Sequence, residues 1–315
     1  MNKNILTLSL AVLTAFIFGC QESQTQNAGS QGKSVIDPVA NLTVQAGLSP
    51  DITYHKVNGH ELKLDVVVPR INLGQAPWWA YDGRKKPALL YIHGGGWVEG
   101  EKETRLLGLM PYIAREWVVV NINYRLARDA KAPAAIADCR QALHWIYENA
   151  EKYQIDTDRI VVSGESAGGH LALMTGMLQK GDSLCGGKYV VDQEIKVAAI
   201  INWYGATELS KKRMEKHAWY DTNDDLEEAV RTLSPINYVS KDNPVIMSIH
   251  GSADPVVLPY HAEILHKKLD EAGVKNRLLI IPDKKHGNFT GQQRTQIFEA
   301  IWDFLEDAGI KTTCE

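Results

Sequence analysis

One serine stands where a nucleophile would be expected. Segment 159–177, RIVVSGESAGGHLALMTGM, runs from an apolar strand-like stretch through a glycine-bounded turn into a helix-like apolar pattern. A sharp strand-to-helix turn forces its central residue into a strained conformation that only small neighbours such as Gly164 and Gly168 tolerate. A plain tight turn would use the same glycines for backbone freedom. The position between strand and helix favours a nucleophile at Ser166.

A serine hydroxyl also needs donors that stabilise a developing oxyanion. Segment 91–100, YIHGGGWVEG, places three consecutive glycines directly after an apolar strand. Such a run costs conformational entropy on folding unless the backbone must bend sharply or approach a ligand closely. We therefore expect the amides of Gly95 and Gly96, together with that of Ala167, to form an oxyanion hole.

The chain has ten histidines, any of which could in principle be the general base. His286 lies just past the last apolar strand, in IIPDKKHGNF, where the carboxyl end of that strand faces the same edge as Ser166. His93 belongs to the glycine loop, and His170 follows Ser166 by one helical turn, so neither is well placed to reach the hydroxyl. We predict His286 as the base and structural roles for the other two.

The acid that orients the base is expected after another strand at this edge. Asp254, in SIHGSADPVV, follows an apolar run and precedes a proline. Glu208, which follows the preceding strand, is the alternative. A serine, a histidine and a buried acid of this kind perform acyl transfer together, and we favour Asp254 for the acid.

The pattern of the remaining chain predicts the frame that holds these residues. Continuous apolar runs alternate with helical patterns from about residue 50, which indicates a mostly parallel sheet covered on both faces. An Asn58-Gly59 turn predicts a leading hairpin and hence an antiparallel N-terminal edge. Helices are predicted over these ranges: 104–116, 133–153, from 166 onward, 259–272 and 291–308.

Length and charge narrow the possible partners. The chain has 315 residues and a formal net charge of −4, with no basic block. A nucleic-acid partner is therefore not expected, because such proteins need a basic patch to neutralise phosphates. No repeat is visible. We predict one catalytic domain over 51–315.

The N-terminus predicts export. Lys3 precedes an apolar stretch over 5–18 that is too short to span a bilayer comfortably, so 1–19 is predicted to be a signal peptide. The residues up to Cys20 resemble the bacterial lipobox, although an ordinary signal peptide with a chance cysteine is the alternative. We expect Cys20 to be lipidated and 20–50 to form a disordered tether. The protein would then be a cell-envelope lipoprotein that meets the membrane only through its lipid anchor.

Three further cysteines, Cys139, Cys185 and Cys314, allow at most one internal disulfide, and none has metal-ligand spacing. The acyl-transfer chemistry outlined above requires neither a metal ion nor an organic cofactor, and none is expected.

The motifs together resemble those of the α/β-hydrolase fold over residues 50–310. Within that fold the chain is similar to the hormone-sensitive-lipase-like and bacterial acetyl or feruloyl esterases. The matching segments are HGGGW at 93–97, GESAGGHLAL at 164–173, HGSADPVV at 250–257 and HGNF at 286–289. Two departures are Glu165, where many relatives carry Asp or Ser, and an aromatic insertion at 77–83.

The resemblance implies a serine carboxylesterase in which Ser166, Asp254 and His286 follow the family's chain order. Its substrates would be short-acyl or aryl esters, such as acetyl or feruloyl groups on plant polysaccharide. A serine peptidase or amidase of the same fold is one alternative. A surface binding module with a vestigial triad is another.

Overall fold

An eight-stranded sheet forms the centre of the described structure. The computed structural model describes residues 45–70, 83–179, 184, 195–221 and 225–313. In these residues the strands follow the order β1-β2-β4-β3-β5-β6-β7-β8 across the sheet. Their bounds are β1 Gln45–Val57, β2 His60–Arg70, β3 Lys86–Ile92, β4 Val118–Ile122, β5 Ile155–Glu165, β6 Ala199–Trp203, β7 Val245–Gly251 and β8 Asn276–Ile281.

The antiparallel edge comes from the predicted hairpin. Asn58 and Gly59 both have positive φ, 49° and 82°, and join β1 to β2 in antiparallel register. β2 also pairs antiparallel with β4. The remaining neighbouring pairs, from β4–β3 through to β7–β8, are parallel. The predicted mostly parallel sheet with an antiparallel N-terminal edge is thereby confirmed.

Helices cover both faces of the sheet. Their bounds are α1 Met110–Ala114, α2 Ala134–Glu148, α3 Ala150–Tyr153, α4 Ala167–Met177, α5 Lys211–Met214, α6 Leu226–Thr232, α7 Tyr260–Glu271 and α8 Gly291–Asp307. Short 3₁₀ helices cover Lys102–Leu109 and Pro235–Tyr238. The predicted helix over 104–116 is therefore divided between a 3₁₀ helix and α1, because Pro111 is tolerated only in the first turn of an α-helix.

The two faces of the sheet pack into separate apolar layers. Leu90 and Ile92 of β3 join the layer that contains α2 and α4, whereas Leu89 joins the layer that contains α1 and α8. All seven residues of β3 are buried. This explains why the central strands read as continuous apolar runs instead of alternating ones.

The described residues begin inside a range that the sequence assigned to the tether. β1 starts at Gln45, within 20–50, because its residues pair with β2 down to Gln45 opposite Arg70. The predicted signal peptide over 1–19 and Cys20 lie outside the described residues, as does most of the aromatic insertion at 77–83. No helix in the described ranges has the length and apolar character needed to cross a membrane.

Candidate active site

Ser166 occupies a strained turn between β5 and α4. Its backbone torsion angles, φ of 54° and ψ of −117°, lie in a region that residues other than glycine rarely adopt. A Cβ on Gly164 would fall 2.3 Å from the Gly168 carbonyl oxygen, and one on Gly168 would fall 2.1 Å from that of Ile92. Neighbouring backbone atoms therefore lie too close to Gly164 and Gly168 for either position to carry a side chain. The two glycines permit the turn that raises Ser166 at the N-terminus of α4.

Three side chains from different loops meet at the carboxyl edge of the sheet. Nε2 of His286 lies 2.8 Å from Oγ of Ser166, and its Nδ1 lies 2.7 Å from Oδ2 of Asp254. Asp254 is buried and its other oxygen accepts hydrogen bonds from the amides of Val256 and Val257, at 2.8 and 3.1 Å. These bonds hold the carboxylate in a fixed orientation toward the imidazole. The three residues named from sequence thus form one chain of hydrogen-bonding contacts, with His286 between Ser166 and Asp254.

Glu208 takes another position. One of its carboxylate oxygens is 3.3 Å from the Tyr260 hydroxyl, and its backbone amide donates to Nδ1 of His261 at 3.4 Å. Asp254, and not Glu208, is the acid beside His286.

A second histidine lies beside the same carboxylate and was not singled out from sequence. His250 is fully buried, donates from Nε2 to the Val257 carbonyl at 2.8 Å, and lies 3.4 Å from Oδ2 of Asp254. Burial lowers the pKa of His250, which keeps it neutral next to the acid. The available signal was its spacing, four residues before Asp254 in HGSADP.

The glycine loop forms a tight bend over the serine. Gly95 and Gly96 have φ of 114° and 60°, and the Gly95 carbonyl accepts from the amides of Val98 and Glu99, each at 3.1 Å. A Cβ on Gly95 would lie 2.0 Å from the Glu99 carbonyl oxygen, so this position requires glycine.

The glycine loop and the start of α4, where the predicted donor Ala167 lies, both border Ser166. A Cβ on Gly94 would lie 3.5 Å from the Ser166 Cβ, which places the loop directly against the nucleophile. Ala167 is the first residue of α4, where an amide has no partner within the helix. The loop and the start of α4 therefore both lie beside Ser166, where the predicted oxyanion hole would have to form.

His93 supports the loop from beneath. The ring is buried, donates from Nδ1 to the Gly94 carbonyl at 2.7 Å and stacks on Tyr124 with centroids 4.4 Å apart. The Tyr124 hydroxyl donates to the His93 carbonyl at 3.1 Å. His170 is fully buried beside Trp97 and bonded through Nε2 to the Leu233 carbonyl. Neither ring hydrogen-bonds with Ser166.

A buried lysine attaches the far end of the loop to the antiparallel edge. Lys102 is 1% exposed, and its ammonium lies 2.9 Å from Asp65 and 3.0 Å from Asp51 and also contacts Glu103. Its amide donates to the Asn123 side chain at 2.7 Å. These interactions fasten the segment after the glycines to β2 and β4.

The residue before the nucleophile carries a second polar cluster. Oε1 of Glu165 accepts from Nε of Arg105 at 2.6 Å, and Oε2 accepts from the Tyr204 hydroxyl at 2.7 Å. Tyr204 has φ of 42°, and its ring meets that of His286 edge to face with centroids 4.7 Å apart. Burial and the Glu165 carboxylate raise the pKa of Tyr204 well above its usual value, so it remains a donor.

Two cavities adjoin these residues. The first, about 350 Å³, lies beside the Glu165 cluster and is lined by Tyr91, Arg105, Leu107, Trp203, Arg294 and Phe298 among others. The second, about 270 Å³, lies beside the glycine loop and is lined by Trp97, Glu208, Met214, Leu258, Tyr260 and His261 among others.

The aromatic side chains at the end of β6 and on the segment after it divide between the first cavity and the core. Trp203 and Tyr204 line the first cavity. Trp219 is fully buried and stacks on Trp97 at 4.5 Å, and Tyr220 is also buried in the core. Trp78 and Trp79 lie outside the described residues. Cys139 is a buried free thiol, and Cys185 and Cys314 also lie outside that part of the chain.

Across the described ranges, no three His, Cys, Asp or Glu side chains gather in a way that could hold a metal ion.

Comparison with known proteins matches residues 80–269 to the BD-FAE family, a range that covers more than half of the chain and includes Ser166 and Asp254. The chain belongs to the BD-FAE family. This BD-FAE protein is 28% identical to esterase LipQ of Mycobacterium tuberculosis over 71% of its own length and 56% of LipQ. It is 30% identical to esterase LipC of the same organism over 57% of its own length and 48% of LipC. The chain spans about half the length of these curated relatives.

Solved structures agree with the fold of this BD-FAE protein. A truncated carbohydrate esterase from gut microbiota is 26% identical, with a TM-score of 0.66, over 83% of this chain and 96% of that one. An esterase of Thermogutta terrifontis, at 24% identity, has a TM-score of 0.68 over 84% of this chain and 95% of that one. The predicted α/β-hydrolase fold and the resemblance to esterases of that fold are confirmed.

Proposed function

We propose that the protein is a carboxylic ester hydrolase that works through an acyl-enzyme on Ser166. The observation that carries the proposal is the paired contact of His286, which bonds Ser166 through one ring nitrogen and Asp254 through the other. That arrangement is what a serine needs to become a nucleophile near neutral pH. The esterase names of its relatives support the same reaction class.

The proposed reaction has two acyl-transfer steps. Nε2 of His286 takes the Ser166 proton as Oγ attacks the ester carbonyl, and the carbonyl carbon becomes tetrahedral. The resulting oxyanion accepts hydrogen bonds from the amides of Gly95, Gly96 and Ala167. The imidazolium, stabilised by Asp254, then gives its proton to the departing alcohol, which leaves an acyl-serine. Water repeats the sequence, releases the acid and restores Ser166.

The proposed substrates are short-acyl or aryl esters, including acetyl or feruloyl groups on plant polysaccharide. The second cavity supports this size range, because about 270 Å³ beside the glycine loop accommodates a short acyl chain or one aromatic ring. Its walls are apolar at Trp97, Met214 and Leu258. The match to a carbohydrate esterase supports a sugar-linked ester.

The first test compares wild type with Ser166→Ala on p-nitrophenyl acetate. We expect a loss of about 10⁶-fold in kcat, whereas Ser240→Ala, in the turn before β7, should retain wild-type kinetics. A fluorophosphonate probe should label wild type and not Ser166→Ala. Faster turnover of an amino-acyl anilide than of the ester would indicate a peptidase. Absent labelling of a folded wild-type protein would reject catalysis by this serine.

We further propose that the protein is exported and anchored in the cell envelope by a lipid on Cys20. The support is the apolar stretch over 5–18 and the polar run that follows Cys20. Metabolic labelling with an alkynyl fatty acid in a bacterial host should mark the full chain and not Cys20→Ser. Equal labelling of both proteins would contradict the anchor.

A further inference from the structure

The cavity beside Glu165 carries more positive than negative charge. Two guanidinium groups, those of Arg105 and Arg294, line it together with one carboxylate, that of Glu165. The charge of Arg105 is already paired with Glu165 at 2.6 Å. Among the described residues no carboxylate pairs with Arg294, which contacts the Gly287 carbonyl at 3.4 Å. One guanidinium in the cavity therefore has hydrogen-bonding capacity left for an anion.

Arg294 is held in place by the start of α8. The Thr290 side chain accepts from the Gln293 amide at 3.3 Å and caps the helix, and the Arg294 amide donates to the Thr290 carbonyl at 2.9 Å. The positive charge of Arg294 lies near the Tyr204 hydroxyl. Burial raises the pKa of Tyr204, and the charge of Arg294 offsets a smaller part of that rise. The guanidinium thus belongs to a cavity wall that the fold positions.

The cavity is lined by immediate neighbours of the reacting groups. Glu165 directly precedes Ser166, the Tyr204 ring contacts His286, and Gly287 follows that histidine. Trp203, Tyr112 and Phe298 give it aromatic walls, and the 75% exposed Leu107 marks its opening to solvent. A volume of about 350 Å³ lies in the range of small-ligand sites. A group bound here would lie beside Glu165 and Tyr204, the residues that respectively flank Ser166 and contact His286.

From these observations we infer that the cavity is a subsite for a carboxylate on the substrate, bound by Arg294 with the Tyr204 hydroxyl nearby. The substrate class is an ester that carries a second, free carboxylate, the chemistry of uronic acids and of dicarboxylic half-esters. A planar guanidinium suits a carboxylate because two parallel N–H groups match its two oxygens. The inference rests on the proposed esterase function and specifies its substrate.

The kinetic test uses p-nitrophenyl hemisuccinate and its neutral analogue, p-nitrophenyl methyl succinate. The ratio of kcat/KM for the charged to the neutral ester should fall about tenfold in Arg294→Gln, since one charge-assisted hydrogen bond is lost. Arg294→Lys should retain only part of the ratio, because it keeps the charge but not the two parallel N–H groups. Arg231→Gln, on α6 and not in the cavity wall, should leave the ratio as in wild type. A ratio within about twofold of wild type in Arg294→Gln would overturn the inference.

A binding measurement separates this inference from the esterase proposal. Calorimetric titration of Ser166→Ala with succinate and with succinamide should show binding of the diacid alone, and the added change Arg294→Gln should abolish it. Hydrolysis of the neutral ester with no binding of succinate would reject the subsite and keep the esterase. Binding of succinate by a protein that hydrolyses neither ester would keep the subsite and reject the esterase.

Discussion

The Tyr204 hydroxyl donates a hydrogen bond of 2.7 Å to Glu165, the residue immediately before Ser166. The same tyrosine ring lies against His286, so one side chain connects the nucleophile turn with the loop that carries the base. The positive φ of Tyr204 and the contact of its ring with the Gly287 position leave it little room to move. We regard Tyr204 as a positioning residue for His286.

Removing that hydroxyl should slow turnover more than it weakens substrate binding. For Tyr204→Phe on p-nitrophenyl acetate we expect kcat to fall about three- to tenfold, the effect of one hydrogen bond, with KM changed less than kcat. The reason is that the ring remains while its anchor to Glu165 is lost. Tyr238→Phe, which loses a bond to the Thr232 carbonyl, is the matched control and should keep wild-type kcat. A higher KM at constant kcat would contradict a positioning role.

Gly164→Ala should disrupt the nucleophile turn. A methyl group there would lie 2.3 Å from the Gly168 carbonyl oxygen and 2.6 Å from that of Ile92, and neither backbone atom can move without displacing Ser166. We expect the free energy of unfolding to fall by about 2–3 kcal/mol, as for other overpacked sites, and kcat to fall with it. Urea denaturation and esterase assays measure the two effects.

Gly291→Ala is the matched control for this substitution. A methyl group at this position would have no described atom within 4 Å, and the residue opens α8, where alanine is a good helix former. The stability of this variant should equal or slightly exceed that of wild type. Equal stability of Gly164→Ala and wild type would show that the turn can relax around a side chain.

Lys102→Met should destabilise the protein by about 3–5 kcal/mol, because it leaves the buried Asp65 carboxylate without its cation. The double change Lys102→Met with Asp65→Leu should recover much of that loss, since no buried unpaired charge remains and the other two carboxylates, Asp51 and Glu103, are exposed. Chemical denaturation of the three variants measures the effect. Lys211→Met removes an exposed pair with Glu227 and should cost less than about 1 kcal/mol. Equal losses of stability in Lys102→Met and Lys211→Met would contradict the conclusion that burial makes the Lys102 pair the more important for stability.

Stability should decrease as the pH falls from neutral. Burial lowers the pKa of His170 to about 4, below the usual value of 6.5 that a histidine has in an unfolded chain. As the pH falls, His170 therefore binds a proton in the unfolded state before it does so in the folded state. The stability that the neutral His170 contributes is complete above about pH 6.5 and is lost progressively toward pH 4. Integrated over that interval the loss for one such group is about 3 kcal/mol. Urea denaturation between pH 4 and pH 7.5 measures it.

His170→Gln isolates this contribution. Glutamine retains a donor for the Leu233 carbonyl without a titrating group, so its stability should vary less with pH than that of wild type. His60→Gln, at the β1–β2 turn, should follow the wild-type slope. Other histidines with lowered pKa, among them the partly buried His261 and the buried His266, add to the pH dependence that both proteins retain. Parallel curves for His170→Gln and wild type would contradict the assignment.

Local sequence was sufficient to predict the frame of the site. The turn at Ser166, the glycine loop and the alternation of strands with helices are each encoded within about twenty residues, because backbone preference and burial period are local properties. The fold class and the edge at which the candidate residues meet followed from that pattern. The split of the predicted helix over 104–116 shows the limit of such reasoning, since apolar spacing does not distinguish a 3₁₀ turn from an α-helix.

Only the tertiary structure decided which distant side chains meet. Ser166 and His286 are 120 residues apart, and the choice of Asp254 over Glu208 depends on how two loops after adjacent strands are oriented. The same holds for His250 beside Asp254, for which the four-residue spacing was the available local signal, and for Arg294 in the cavity wall, which lacks one. Contacts between loops depend on strand order and loop path, which are set by packing across the whole sheet. Local sequence was therefore enough to identify the reactive residues, whereas the tertiary structure determined which side chains contact them.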